Sequence, residues 1–311
     1  MNTAHWHPHT YELKYRLGEI TLGRNRLNVL RKVYSLNDIR AFTVDPELPG
    51  LDAGLDGYLL ANIPRECVTG SIEPVGAHLR YCLKSYMRCY IDMSDDFDAY
   101  QDKFSGKTRS GINRKVRKFV QLAGGLDLRC YRTPAEMGEF FELARPVSAA
   151  SYQERLLECG LPADADFVAQ ARAAAMRDEV RAFLLFSNGK ATSYLYCPVR
   201  DGVLDYAFLG YVPESAKLSP GTVLQWLAME RLFAERRFSA FDFTEGESEH
   251  KIFFSTHQTP CSLQLLLRPS MGNRLTARMH RGIDIVSKSI GDGLDRHGLK
   301  GRIKKWLRKV A

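Results

Sequence analysis

Apolar residues recur along the chain with two different periods, and the switches between them outline the elements. Over 107–123, Ile112, Val116, Phe119 and Val120 fall at helical spacing while basic residues take the opposite face. Leu126–Tyr131 alternates as a strand does. Thr133-Pro134 with Glu136 predicts a helix start, because threonine caps and proline tolerates the first helical position. The alanine-rich stretch Ala163–Arg177 predicts a second helix. Next come two strands, Ala182–Ser187 and Ala191–Cys197, joined by Asn188-Gly189, the strongest short hairpin signal. Asp201-Gly202 marks another turn before a third strand, Val203–Tyr211. Pro220-Gly221 then opens a helix reaching about Arg237, and Ser239–Phe243 is a short buried strand. A helical crossover of this length predicts that 203–211 and 239–243 run parallel in one sheet. Ser248–Ser255 predicts a helical turn or two, and Cys261–Leu267 a last strand. Upstream, the apolar runs GYLLANI (57–63) and HLRYCLKSYMRCYIDM (78–93) between turn residues predict a small α/β region.

The 311 residues exceed one typical core. They divide into an N-terminal α/β region (1–104), a mixed α+β domain (105–270) and a basic amphipathic helical tail (271–311). A content of 45% hydrophobic and 26% charged residues sets disorder aside. The net charge of +8 is unevenly placed. Asn273–Ala311 holds eleven basic against three acidic residues, and Lys103–Lys118 holds seven basic and no acidic ones, so the remainder is mildly acidic. Two local basic surfaces suggest anionic partners at defined places and argue against coating of the whole surface by nucleic acid; no sequence-specific nucleic-acid partner is expected. The seven cysteines are scattered without a CxxC pair, which predicts reduced thiols and no zinc site. No segment approaches the apolar length that crosses a bilayer, and MNTAHWHPHT lacks the pattern of a secretory signal, so the cytoplasm is the expected compartment. His5, His7 and His9 read as a frayed terminus, and no metal is expected.

The words SGKTRSGINRKVRKF (105–119), SYQERLLECGLP (151–162), LSPGTVLQW (218–226) and FDFTEGESEHKIFF (241–254) resemble the BioF2-like (CelD-like) acetyltransferase branch of the Gcn5-related N-acetyltransferase (GNAT) superfamily. That branch is related to the Fem-type aminoacyltransferases. The resemblance implies a GNAT-like mixed, mostly antiparallel sheet flanked by helices, with the N-terminal region open to being a degenerate second GNAT half. It implies an acyltransferase, taking its donor as acyl-CoA or on an acyl carrier protein. The acceptor would be an amine or hydroxyl of an anionic or saccharide molecule in polysaccharide or cell-envelope synthesis. Typical acetyl-CoA users carry a (Q/R)xxGxG/A loop where this chain has Ser215–Thr222, so the donor stays open, with aminoacyl-tRNA as the alternative. A non-catalytic tether for a membrane-associated synthesis complex is the other reading.

The resemblance places the donor between Tyr206 and Thr222. Ala207, Leu209 and Gly210, with Gly210 where the strands splay, would offer backbone groups to the pantetheine arm. A backbone N–H there would also hold the thioester oxygen as charge develops, an interaction worth ~3 kcal/mol. Ser219, Gly221 and Thr222 at the helix start, with Lys217 nearby, suit a diphosphate; a merely well-capped helix start is the plainer reading. Acyl transfer needs a base and an acid. Glu245 is the candidate base, Tyr211 the acid, and Lys251 a countercharge. Asp242, between Phe241 and Phe243, needs a partner if it points inward, and Lys251 is the natural one, which leaves a purely structural bridge open. Arg109, Arg114 and Arg117 are candidates for an anionic acceptor, and Tyr152 and Gln153 for the acceptor pocket. The tail over 283–311 suits either the inner face of an anionic membrane or docking onto the protein's own body.

Overall fold

A computed structural model describes residues 6–18, 20–151, 160–162, 164–246 and 248–296. In chain order the elements are β1 (His7–Leu17), β2 (Ile20–Val33), α1 (Leu36–Arg40), β3 (Gly57–Ile63), β4 (Ile72–Val75) and β5 (His78–Asp92). There follow α2 (Phe97–Asp102), α3 (Gly106–Leu122), β6 (Asp127–Tyr131), α4 (Pro134–Ala150), α5 (Ala165–Met176), β7 (Val180–Ser187) and β8 (Lys190–Arg200). The chain continues through β9 (Val203–Asp205), β10 (Phe208–Tyr211), a 3-10 turn (Pro213–Leu218), α6 (Pro220–Ala234), β11 (Ala240–Asp242), α7 (Glu249–Phe254), β12 (His257–Leu267) and α8 (Met271–Arg296). Two compact units result. One joins 1–86 to 260–311, and the other is 87–259, where the sequence reading puts boundaries at 104/105 and 270/271.

In the second unit β6, β7 and β8 form an antiparallel meander. The Asn188-Gly189 turn has φ of 49° and 73°, the doubly left-handed geometry that a two-residue hairpin requires. β7 is buried from Val180 to Phe186, and apolar there but for the ion-paired Arg181, because both its faces are covered. Phe183 and Leu185 join a core with Ile112 and Phe119 of α3 and Val223, Leu224 and Leu232 of α6. Ala182, Leu184 and Phe186 face Met137, Phe140 and Ala144 of α4 and Ala171 of α5. The start of α4 is the expected capping box, with Thr133 and Glu136 each bonding the other's backbone. β9 and β11 are parallel, Val203 opposite Ala240, and β11 pairs antiparallel with the end of β5, Ala240 opposite Asp92. The expected third strand, 203–211, is in fact two, broken at Tyr206 and Ala207.

The first unit is strand-rich. β1 and β2 pair antiparallel with a bulge at Tyr15/Arg16, β2 runs parallel to β3, and β3 is antiparallel to β12. α8 covers the β1–β2 ribbon, Ala277 packing with Leu27, Val29 and Leu265. One expectation fails in this unit. Cys67 and Cys82 form a disulfide. The loop before β4 folds back on β5, where the Gly70 N–H donates to the Cys82 carbonyl at 2.8 Å, a closeness that no sequence spacing announces. Among the described residues Cys130 and Cys197 are free thiols.

Candidate active site

The geometry of the site begins where two parallel strands part. β9 follows β11 as far as Asp205 opposite Asp242, and the Tyr206 N–H still donates to the Asp242 carbonyl at 2.8 Å. Beyond it β10 turns away and pairs with β8 alone among the described strands, Phe208 opposite Tyr196 through Tyr211 opposite Ser193. Its other edge borders a crevice of about 400 Å³. Tyr206, Leu209 and Tyr211 line one wall, Ser219, Gly221 and Thr222 the helix end, and Ser248, His250 and Lys251 the side of α7.

The helix end is shaped by its first two residues. Ser219 adopts a left-handed conformation (φ 53°, ψ 46°), and its side chain does not cap. Holding a non-glycine residue there costs on the order of 1 kcal/mol or more. Pro220 then sets the first helical φ, and the orphan N–H groups of the first turn carry the positive end of the helix dipole. A Cβ on Gly221 would meet Tyr211 at 3.5 Å and Leu209 at 3.6 Å, which is ordinary contact. The fold therefore tolerates a side chain at 221, and its absence widens the crevice.

Three donor-side expectations change. Gly210 does not mark the parting, which lies at 206–207. A Cβ on Gly210 would lie 2.5 Å from the Tyr194 ring, and its carbonyl already accepts from Ser193 Oγ at 2.9 Å, so it serves packing. Ala207 stands outside the crevice lining and donates its N–H to the Tyr196 carbonyl at 3.3 Å. Lys217 is also off the lining; its carbonyl accepts from Lys118 Nζ at 3.4 Å, which brings α3 to the turn before α6.

On the other wall the expected Asp242–Lys251 pair is absent. Asp242 is fully buried and paired with Arg88: Nε donates to both carboxylate oxygens at 3.1 Å, and Nη2 closes the fork on Oδ2. The Thr244 N–H adds a bond to Oδ1 at 2.8 Å. A guanidinium matches a carboxylate in two bonds where an ammonium cannot, and that complementarity wins in the core. Lys251 Nζ donates instead to the Glu245 carbonyl at 2.8 Å, and burial lowers its pKa. The Glu245 side chain is exposed and does not line the crevice. His250 does, packed against Phe254 and Tyr206, with its Nε2 buried and without a partner among the described residues. Burial first, then the neighbouring Lys251, holds its pKa down at about 4, so the imidazole is neutral at physiological pH.

Residues 106–252 match the sequence family described as "Acetyltransferase (GNAT) domain". This segment is a GNAT domain. No curated protein matches the chain in sequence. Among solved structures, the chain is similar to a C-terminal domain assigned to a lysylphosphatidylglycerol synthetase from Agrobacterium fabrum (11% identity, 74% of this chain and 73% of that one, TM-score 0.48). It is also similar to L-PGS from Bacillus licheniformis (14%, 74% and 73%, 0.45) and to FemX (10%, 86% and 90%, 0.46). Those likenesses are too distant to bear on chemistry.

The acceptor candidates of the GNAT domain scatter. Arg109 and Arg117 border a second depression of about 740 Å³ with Ser110 and Asn113, and Arg109 is engaged by Asp102 at 2.9 Å. Arg114 is exposed on α3 outside that lining. Lys103 leaves the basic surface, its Nζ donating to the Phe253 and Ser255 carbonyls. Tyr152 and Gln153 lie outside the described residues. Sequence reasoning missed Arg88, 154 residues from its partner, and passed over His250 in favour of Glu245. The available signal was the i, i+4 pair His250 and Phe254, which puts an imidazole on an apolar helix face. Among the described residues there is no cluster of three metal-ligating side chains, and no helix long and apolar enough to cross a membrane.

Proposed function

We propose that the GNAT domain transfers an acyl group from a thioester, acyl-CoA or acyl carrier protein, to an amine or hydroxyl of a polysaccharide or cell-envelope precursor. One observation carries this reading: an edge of β10 that no described strand pairs and the positive end of α6 face one crevice. A strand edge suits the amides of a pantetheine arm, and a helix start suits a diphosphate.

The chemistry falls to residues around that crevice. His250, held neutral, has a lone-pair nitrogen to take the proton of the attacking amine or hydroxyl. Lys251 supplies positive charge beside the reacting carbonyl, and Tyr211 can return a proton to the departing thiolate. Glu245, off the lining, gives up the role of base. Arg117 and Arg114 on α3 offer charge to an anionic acceptor.

Calorimetry with acyl-CoA tests the reading. The parent chain is expected to bind one equivalent, and Gly221→Glu to abolish binding while its urea midpoint stays put. The new carboxylate would fill the crevice and oppose a diphosphate there. No heat with any acyl-CoA, together with saturable binding of aminoacyl-tRNA, would transfer the donor site to the Fem-like alternative, for which the basic face of α3 is the supporting feature.

A further inference from the structure

α8 is amphipathic in the wrong sense for a helix that meets water. The face on the sheet is polar but for Ala277. Asn273 is buried, with Nδ2 donating to the Arg268 carbonyl at 3.1 Å, and Thr276 Oγ1 accepts from Asn25 Nδ2 at 2.9 Å. His280 Nδ1 meets the Tyr81 hydroxyl at 2.6 Å, and Ser287 Oγ accepts from the Gly18 N–H at 2.8 Å. These bonds set the rotation of the helix about its axis over four turns. Four larger apolar residues consequently point away from the body: Leu275 is 60% exposed, Met279 50%, Val286 51% and Ile290 47%. A surface helix ordinarily presents the reverse pattern, and an exposed apolar stripe of this kind marks an interaction surface.

Charge identifies the partner. Arg274, Arg278 and Arg281 are exposed along the flank of the stripe, and Lys288, also exposed, follows one turn or two later. The sequence after Ile290 adds Arg296, Lys300, Arg302, Lys304, Lys305, Arg308 and Lys309 around Trp306. An apolar stripe edged by arginines suits the interface of an anionic bilayer, where the apolar residues enter the acyl boundary and the cations meet the headgroups. We propose that the outward face of α8 docks on an anionic lipid membrane. The proposal is independent of acyl transfer and stands or falls without it.

Sedimentation of the full chain with vesicles tests it, using phosphatidylcholine alone and phosphatidylcholine in which about a third of the lipid is phosphatidylglycerol. The parent is expected to pellet with the anionic vesicles, to stay in solution with the neutral ones, and to be released as salt shortens the Debye length. Leu275→Glu combined with Met279→Glu should weaken binding by ~10-fold or more. Both positions are exposed, so circular dichroism should be unchanged; if that pair misfolds, Val286→Ser with Ile290→Ser replaces it. Absence of pelleting, or equal pelleting of parent and variant, overturns the proposal. So does a dimer in sedimentation equilibrium that the variant dissolves, because the stripe would then be covered by a second copy.

Discussion

Asp242 ends β11 and His250 sits in the first turn of α7, on either side of one short connection, yet the fold assigns them opposite tasks. Asp242 faces inward, where Arg88 and the Thr244 N–H satisfy its oxygens, and no part of it reaches the crevice. His250 faces the crevice and has a buried nitrogen with no partner among the described residues. A carboxylate with every lone pair engaged holds structure, whereas an imidazole kept neutral and under-satisfied is available for proton transfer. Nearness to the crevice in sequence does not distinguish the two; burial and partner do.

The largest expected effect lies on the structural side. Asp242→Ala leaves the Arg88 guanidinium buried without its counterion and should cost about 3–5 kcal/mol in urea unfolding. Arg88→Met with Asp242→Leu should cost less than either single truncation, since both charges leave together. Equal stability of Asp242→Ala and parent would break the contrast.

Next comes a pH effect on stability. The pKa of His250 falls from 6.5 in the unfolded chain to about 4 in the folded one. Between those values the unfolded chain binds more protons, so folding stability declines as pH drops from 6.5 toward 4. The full span amounts to roughly 3 kcal/mol. His250→Leu should flatten that part of the pH profile; an unchanged slope would show that the imidazole is not held neutral by its surroundings. In turnover, His250→Gln should lower kcat by ~100-fold with little change in KM for the donor. The smallest effect is expected at Glu245. Glu245→Ala should alter kcat by less than about twofold, because the bond from Lys251 goes to the backbone carbonyl, which alanine keeps. A large loss would return the role of base to Glu245.

Much of the fold is legible in short-range signals. The capping box at Thr133, the Asn188-Gly189 turn and the parallel pairing implied by the α6 crossover depend on contacts within a few residues or on chain connectivity. The crevice is legible for the same reason: Tyr211, Leu209, Ser219, Gly221 and Thr222 sit on consecutive elements that meet by topology. What escaped the sequence is non-local. The bond from Arg88 to Asp242 and the Cys67–Cys82 bridge join segments whose closeness leaves no periodic trace. The break at 206–207 is hidden because each half of Val203–Tyr211 is apolar enough to pass as one strand, while the first half follows β11 and the second follows β8. In the tail, α8 lies on the β1–β2 ribbon, with Leu275, Met279, Val286 and Ile290 exposed.

The parting of β10 from β11 is the claim on which the function depends, and a crystal structure with a bound acyl donor or a non-hydrolysable analogue tests it most directly. The account predicts amide hydrogen bonds between the donor arm and the free edge of β10, the diphosphate at Gly221 and Thr222, and the carbonyl carbon beside His250. A donor bound elsewhere, with the crevice between Tyr206 and Thr222 empty, would contradict it.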